Sequence, residues 1–133
     1  MAAAAKIPDL AFRQNISEIV IYNDYIFEEY YAITKDGYIL KVFRVNHRNT
    51  PEGAPVVFMQ HGIVDSADAW VVHTESSAPA FNLARAGYDV WLGNNRGNIY
   101  SRSHLKLDEK RDAEEFYDFT WAEMGKYDLP AQI

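Results

Sequence analysis

The run Pro55-Val56-Val57-Phe58-Met59 stops abruptly at the polar turn Gln60-His61-Gly62. This is the pattern of a strand buried on both faces of a parallel sheet and ending at its carboxyl edge. Upstream, Ile26 to Thr34 is rich in Phe, Tyr and Ile, and Tyr38 to Phe43 alternates with Lys41 as its only charge. These features predict two strands, Ile26 to Thr34 and Tyr38 to Val45. Lys35-Asp36-Gly37 joins them, and because Asp and Gly both tolerate positive φ, the pair is predicted to form an antiparallel hairpin. Asn15 and Glu18 have the spacing of a reciprocal N-cap ahead of Ile16, Ile19 and Val20. That spacing predicts a short helix whose apolar side packs on the sheet.

Asn46 to Pro55 carries two prolines and a glycine and reads as a surface connection, with His47 a solvated loop histidine. Beyond the loop from Ile63 to Trp70, Ser77-Ala78-Pro79 predicts a helix start with serine as the cap. The helix runs through Phe81, Leu83 and Ala84, and Gly87 closes it. Tyr88 to Leu92 follows as a strand, so strand, helix and strand form one right-handed parallel crossover. The fold class is therefore α/β. Gly93-Asn94-Asn95-Arg96-Gly97-Asn98 leaves the carboxyl end of that strand, where ligands bind in open α/β sheets. It fits neither G-x-G-x-x-G nor a Walker pattern, so a nucleotide site is not expected. Lys106 to Glu115 is densely charged and reads as a solvated segment. Thr120 and Glu123 have capping-box spacing, with Phe119 placed to staple onto Met124. A helix from Trp121 to about Tyr127 is predicted, limited by Pro130.

Composition narrows the function classes. A chain of 133 residues with 48% hydrophobic and 24% charged positions suits one folded domain or a piece of a larger one, and residues 1–133 are read as a single partial domain. A net charge of −6 argues against nucleic acid as a partner, since phosphate binding needs clustered Lys and Arg. The absence of cysteine removes disulfides, thiolate metal sites and thiol nucleophiles. No cofactor or metal motif is present, and no apolar run is long enough to span a membrane. Met1 to Lys6 is too short and too weakly apolar for a signal-peptide core, and Pro8-Asp9 interrupts it.

The candidate chemistry lies at Gln60-His61-Gly62-Ile63. A strand followed by His-Gly and an apolar residue can aim a backbone N–H at a developing oxyanion, as in α/β-hydrolases. The donor here is the Ile63 amide, with Gly62 allowing close approach and Gln60 and His61 supporting the turn. Taken alone, His-Gly after a core strand is a common dipeptide and reads first as a plain turn. Trp70 and Tyr100 belong either to an acyl-binding wall or, more simply, to the core.

Five blocks in order shift that balance: Glu28 to Tyr31 with Thr34 to Leu40; Val56 to Gly62; Ala86 to Asn98; Tyr100 to His104; and Phe116 to Phe119 with Glu123-Met124 and Lys126 to Ala131. Together they resemble the N-terminal part of the acid lipase family, the α/β-hydrolases that include gastric and lysosomal acid lipases. The resemblance implies the N-terminal part of an α/β-hydrolase fold, an antiparallel hairpin leading into a parallel β-α-β unit, with an incomplete sheet. It also implies hydrolysis of neutral lipid esters, of the triglyceride or cholesteryl ester class, by a serine nucleophile. Family members are secreted or lysosomal, although no signal peptide is visible here.

Hydrolases of this fold place the nucleophile in a G-x-S-x-G elbow, with the triad in the order Ser, Asp, His. The serines at positions 17, 66, 76, 77, 101 and 103 all lie outside such an elbow. His61 precedes any nucleophile and is assigned to the oxyanion motif rather than to the base. His73 and His104 are expected on the surface or in packing. The expectation is an oxyanion loop without a catalytic triad, inactive alone, with a partner chain as one way of completing the sheet. The alternative is a non-catalytic truncated relative that acts as an interaction or structural subunit.

Overall fold

The capping box forms at Asn15: its Oδ1 accepts from the Glu18 amide at 3.1 Å, and Glu18 Oε2 accepts from the Asn15 amide at 3.3 Å. It starts helix α1 (Ile16–Tyr22), which buries Ile16, Ile19 and Val20 as their spacing predicts. The computed structural model describes residues 15–133. The expectations for Met1 to Lys6 and Pro8-Asp9 lie outside the described residues.

Strands β1 (Ile26–Ile33) and β2 (Tyr38–Asn46) form the predicted hairpin, in register from Ile26↔Asn46 to Ile33↔Ile39. Gly37 takes φ +102° in the turn, and Thr34 Oγ1 accepts from the Tyr38 amide at 2.8 Å. Strand β3 (Val56–Gln60), helix α2 (Pro79–Arg85) and strand β4 (Asp89–Gly93) make the crossover, with β3 and β4 parallel from Val56↔Asp89 to Gln60↔Gly93. The other side of β4 pairs antiparallel with β2 through Phe43↔Leu92, Arg44↔Trp91 and Val45↔Val90. Strand β5 (Ser103–His104) extends that side of β2 at Tyr38 and Ile39. The order is β1-β2-β4-β3 in a mixed, open sheet.

Period-two alternation divides the sheet into two faces. Phe43, Val45, Val90 and Leu92 are buried against Ile16, Val20, Ala80, Phe81 and Ala84 from α1 and α2. Burying a side chain such as Phe81 is worth about 2–3 kcal/mol. The opposite face carries a smaller cluster of Tyr38, Leu40 and Phe116. Trp70 and Tyr100 pack against the first cluster, which supports the core reading.

Several local expectations change. β3 is not buried on both faces: Val56 is 64% exposed and Val57 to Gln60 are only half-buried, and the strand lies at the edge of the sheet, with β4 its one partner among the described residues. Ser77 does not cap α2; its hydroxyl bonds Thr74 Oγ1 at 2.7 Å, and Ala78 holds the cap position without a side-chain bond. The charged segment before the last helix is not wholly solvated, because helix α3 (Ala113–Phe116) buries Phe116 completely. His47 does find partners, an amide from Asn49 and an edge-on Tyr25 ring.

The Thr120–Glu123 box forms and starts α4 (Trp121–Glu123), but Pro130 does not limit the helix. A π turn over Met124–Asp128 leads into α5 (Leu129–Gln132), with the Leu129 amide bonded to the Met124 carbonyl. Proline clashes with the carbonyl four residues back in a regular α-helix. The wider π turn ahead of Pro130 relieves that clash.

One buried cation ties this frame together. Arg96 is 2% exposed and its guanidinium lies 3.9 Å from the centre of the Tyr38 ring. Its Nε donates to Asp128 Oδ1 at 2.8 Å and its backbone amide to Asp128 Oδ2 at 2.9 Å. Its terminal nitrogens donate to both oxygens of Asp36 at 2.6 and 2.9 Å. The hairpin turn, the loop after β4 and the C-terminal helix are thereby joined.

Burial alone would raise the Asp36 carboxyl, but hydrogen bonds from Arg96 and Thr34 and the Arg96 charge outweigh it and hold it below the usual range. A depressed folded-state value means that the stabilisation is complete above the unfolded value near ~3.9 and is lost as pH falls through the folded one. Asp36→Asn is therefore expected to cost about 1–3 kcal/mol near neutral pH in urea unfolding. The difference from the parent should shrink below pH ~4. A difference that grew on acidification would contradict the assignment.

Gly93 offers a second test. A Cβ there would sit 2.3 Å from Gln60 Oε1, 2.6 Å from Phe58 Cζ and 2.7 Å from Gln132 Oε1. At Gly87, φ is +95° but nothing lies within 4 Å. Gly93→Ala should destabilise by roughly 1–3 kcal/mol through overpacking. Gly87→Ala should cost roughly 1–2 kcal/mol through backbone strain alone. Only the Gly93 penalty should shrink when Phe58→Leu is added, as read by urea midpoints.

Candidate active site

The carboxyl ends of β3 and β4 open side by side, because the two strands are parallel and paired to Gln60↔Gly93. The loop after β3, the loop after β4 and the start of α4 enclose a cleft of about 500 Å³. Ile63, Val64 and Asn98 line one side of it, and Phe119, Trp121 and Met124 another.

His61 anchors the first loop and is 5% exposed. Its Nε2 accepts from the Asn95 backbone amide at 3.1 Å, so the ring proton belongs on Nδ1, which donates to the Gly62 carbonyl at 2.6 Å. Both ring nitrogens are thus engaged with backbone groups of the two loops. Gln60 reaches the same neighbour, its Nε2 donating to Asn95 Oδ1 at 3.1 Å. Gln60 Oε1 is buried without a partner among the described residues. Thus two of the residues singled out from sequence, Gln60 and His61, both bond Asn95 of the loop after β4, and Ile63 follows them at the cleft.

Ile63 and Val64 form the projecting tip of the loop, 64% and 99% exposed. Val64 has φ +60°, a left-handed conformation that costs a β-branched residue energy. The Ile63 amide donates to no acceptor among the described residues and borders the cleft. At Gly62 nothing lies within 4 Å of a Cβ placed there, so the space over it is open.

The residues that hold this loop come from the Gly-Asn segment after β4. Asn94 is fully buried, accepts from the Ala67 amide at 3.1 Å and donates to the Lys41 carbonyl at 3.0 Å. Asn98 Oδ1 accepts from the amides of Tyr100 and Ser101 at 2.9 and 3.0 Å. Its Nδ2 donates to Asn94 Oδ1 at 2.8 Å and lies 3.1 Å from His61 Nε2 and 3.4 Å from the Asp65 carbonyl. Sequence reasoning placed this segment at the ligand edge without giving its asparagines a role. The signal was their density beside a glycine turn: a side-chain amide both donates and accepts, which suits a loop that must satisfy backbone groups of another loop.

Trp70 and Tyr100 do not line the cleft. The Tyr100 hydroxyl donates to Asp68 Oδ1 at 2.7 Å, and burial, helped by Asp68, pushes it well above its ordinary value. Ser66 caps the short 3₁₀ turn Ala67–Trp70, and Ser101 is fully buried with its Oγ accepting from the Lys41 amide at 3.1 Å. Neither has a histidine beside it to activate it as a nucleophile. His104 packs edge-on against the Tyr38 ring.

No helix among the described residues is long and apolar enough to cross a membrane. Residues 16–74 match the family model described as a partial alpha/beta-hydrolase lipase region. The chain is 49% identical over 125 residues to lipase member K of Homo sapiens, covering 90% of this chain and 30% of that protein. It is 47% identical over 123 residues to the gastric triacylglycerol lipase of Rattus norvegicus, covering 90% and 31%. It is 46% identical over 123 residues to the lysosomal acid lipase/cholesteryl ester hydrolase of Homo sapiens, covering 90% and 30%. The chain therefore spans about 30% of the length of the curated relatives it matches. The open β1-β2-β4-β3 sheet, the loop at its carboxyl edge and this identity agree: the chain belongs to the acid lipase family of α/β-hydrolases and carries the N-terminal region of that fold.

Proposed function

We propose that this region supplies one backbone donor of the oxyanion hole in a lipid ester hydrolase, and that the donor is the Ile63 amide. The observation that carries the reading is an unpaired main-chain N–H beside a cleft, on a loop whose base is held by His61. When a nucleophile adds to an ester carbonyl, the oxygen gains negative charge. A fixed donor there stabilises the transition state by roughly 3 kcal/mol without reorganising. The second donor in this scheme is the amide after the nucleophile. Substrates of the neutral lipid ester class follow from the relatives, whose names specify triacylglycerol and cholesteryl esters. The apolar cleft walls of Ile63, Val64, Phe119, Trp121 and Met124 suit an acyl chain.

The 133 residues contain no G-x-S-x-G elbow. On this reading the nucleophile, acid and base come from outside them, and the 133-residue chain hydrolyses neither nitrophenyl butyrate nor triglyceride above a buffer blank. Hydrolysis that co-purified with the chain, with a fluorophosphonate label mapped to Ser66, Ser101 or Ser103, would overturn this. A second reading, a non-catalytic interaction subunit, is favoured by one observation: the outer edge of β3 is unpaired among the described residues. A stable complex with a partner protected from exchange along Val56–Gln60 would support it.

The donor itself is tested in an active protein made by joining this chain to the remaining carboxyl-terminal part of lipase member K. Ile63→Pro removes the amide and should lower kcat on the order of a hundredfold. Ile63→Val keeps the amide and should cost far less. Equal activity of the two variants, both folded by circular dichroism, would reduce the loop to a plain turn.

A further inference from the structure

Among the described residues, the proposed donor sits at the tip of a loop that makes no hydrogen bond of its own at Gly62, Ile63 or Val64 apart from the His61 ring on the Gly62 carbonyl. Its direction is therefore set from the ends. One end is the His61 ring and the other is the Asp65 carbonyl, followed by the Ala67 amide on Asn94. A single side chain reaches both. Asn98 Nδ2 lies 3.1 Å from His61 Nε2 and 3.4 Å from the Asp65 carbonyl, and donates to Asn94 Oδ1 at 2.8 Å. Its orientation is fixed, because Oδ1 accepts the amides of Tyr100 and Ser101 and only Nδ2 can face the loop.

We propose that Asn98 is a positioning residue for the oxyanion donor: one N–H of its side chain is held by Asn94 Oδ1, and the other, facing the Asp65 carbonyl and the edge of the His61 ring, restrains the His61–Asp65 loop, whose His61 end the Asn95 amide already fixes, and thereby aims the Ile63 amide. This rests on the assignment of Ile63 as the donor. Asn98 touches no reacting atom; it acts through the backbone of the loop. Asn94 extends the clamp by holding the Ala67 amide and the Lys41 carbonyl, which ties the loop to β2 in the centre of the sheet. A misplacement of about 1 Å at a donor can cost on the order of a hundredfold in rate, so the loss of such a clamp is large enough to measure.

Asn98→Asp is the informative change. It keeps the oxygen that accepts from Tyr100 and Ser101 and turns the NH₂ donors into a charged acceptor that faces Asn94 Oδ1 and the Asp65 carbonyl, so the restraint on the loop becomes a repulsion. In the 133-residue chain, amide exchange at Tyr100 and Ser101 should be unchanged. Exchange at Asn95, whose amide His61 Nε2 accepts, should quicken roughly tenfold or more. In the fused enzyme described above, kcat should fall on the order of tenfold to a hundredfold with KM nearly constant. Asn98→Asp should cause no further loss of kcat in an Ile63→Pro background, since the group it positions is already gone. The same fold-loss in both backgrounds, or unchanged Asn95 exchange, would overturn the clamp. If Ile63→Pro itself left kcat unchanged, the donor assignment would fail instead, and the Asn95 exchange would still decide whether Asn98 holds the loop.

Discussion

The Arg96 guanidinium is the constraint on which the arrangement depends. A buried cation is tolerated only when paired and hydrogen-bonded. Arg96 meets that demand with two carboxylates from opposite ends of the chain, Asp36 in the hairpin turn and Asp128 in the π turn, and with the face of Tyr38. Because the backbone amide of Arg96 is also bound by Asp128, the loop itself is fixed and not only its side chain. Gly97 next to it takes φ +77°, and a Cβ there would lie 2.8 Å from Phe119, so the loop packs directly under the residue that precedes α4.

What that fixed loop holds is the exposed loop that carries Ile63 and Val64. Asn95 presents its amide to His61, Asn94 accepts from Ala67, and Asn98 spans the two ends of the His61–Asp65 loop. Rigidity passes from a buried ion pair, through three asparagines, to a loop tip with an unused amide. Polar groups dominate this layer because both loops carry backbone donors and acceptors that strand pairing does not satisfy. Asn95 and Asn98 of this layer also line the cleft, together with the apolar Ile63, Val64, Phe119, Trp121 and Met124.

The parts legible in the sequence are those fixed by neighbours along the chain. Asp36-Gly37 gave the hairpin, Asn15 with Glu18 and Thr120 with Glu123 gave two capping boxes, and the apolar runs at Val56 and Val90 gave a parallel pair. His61-Gly62 marked the loop at the carboxyl edge. What escaped depends on distant partners. The antiparallel seam between β2 and β4, the two-residue strand at Ser103, and the Arg96–Asp128 pair across 32 positions carry no local signature. Pro130 was misread for the same reason: a regular helix would end there, and only the π turn over Met124–Asp128 lets it continue. The edge exposure of β3 was likewise invisible, since an apolar run reads the same whether one side or both are paired.

The central claim is geometric: the Ile63 amide points at the place where charge develops. The most direct measurement is a crystal structure of the fused enzyme inactivated by an alkylphosphonate, whose phosphonyl oxygen occupies the position of the oxyanion. The account predicts the Ile63 nitrogen about 2.7–3.1 Å from that oxygen. It also predicts that His61 still accepts from the Asn95 amide and that Asn98 still spans the loop. An Ile63 amide turned away from the phosphonyl oxygen, with the donors supplied by other residues, would contradict it.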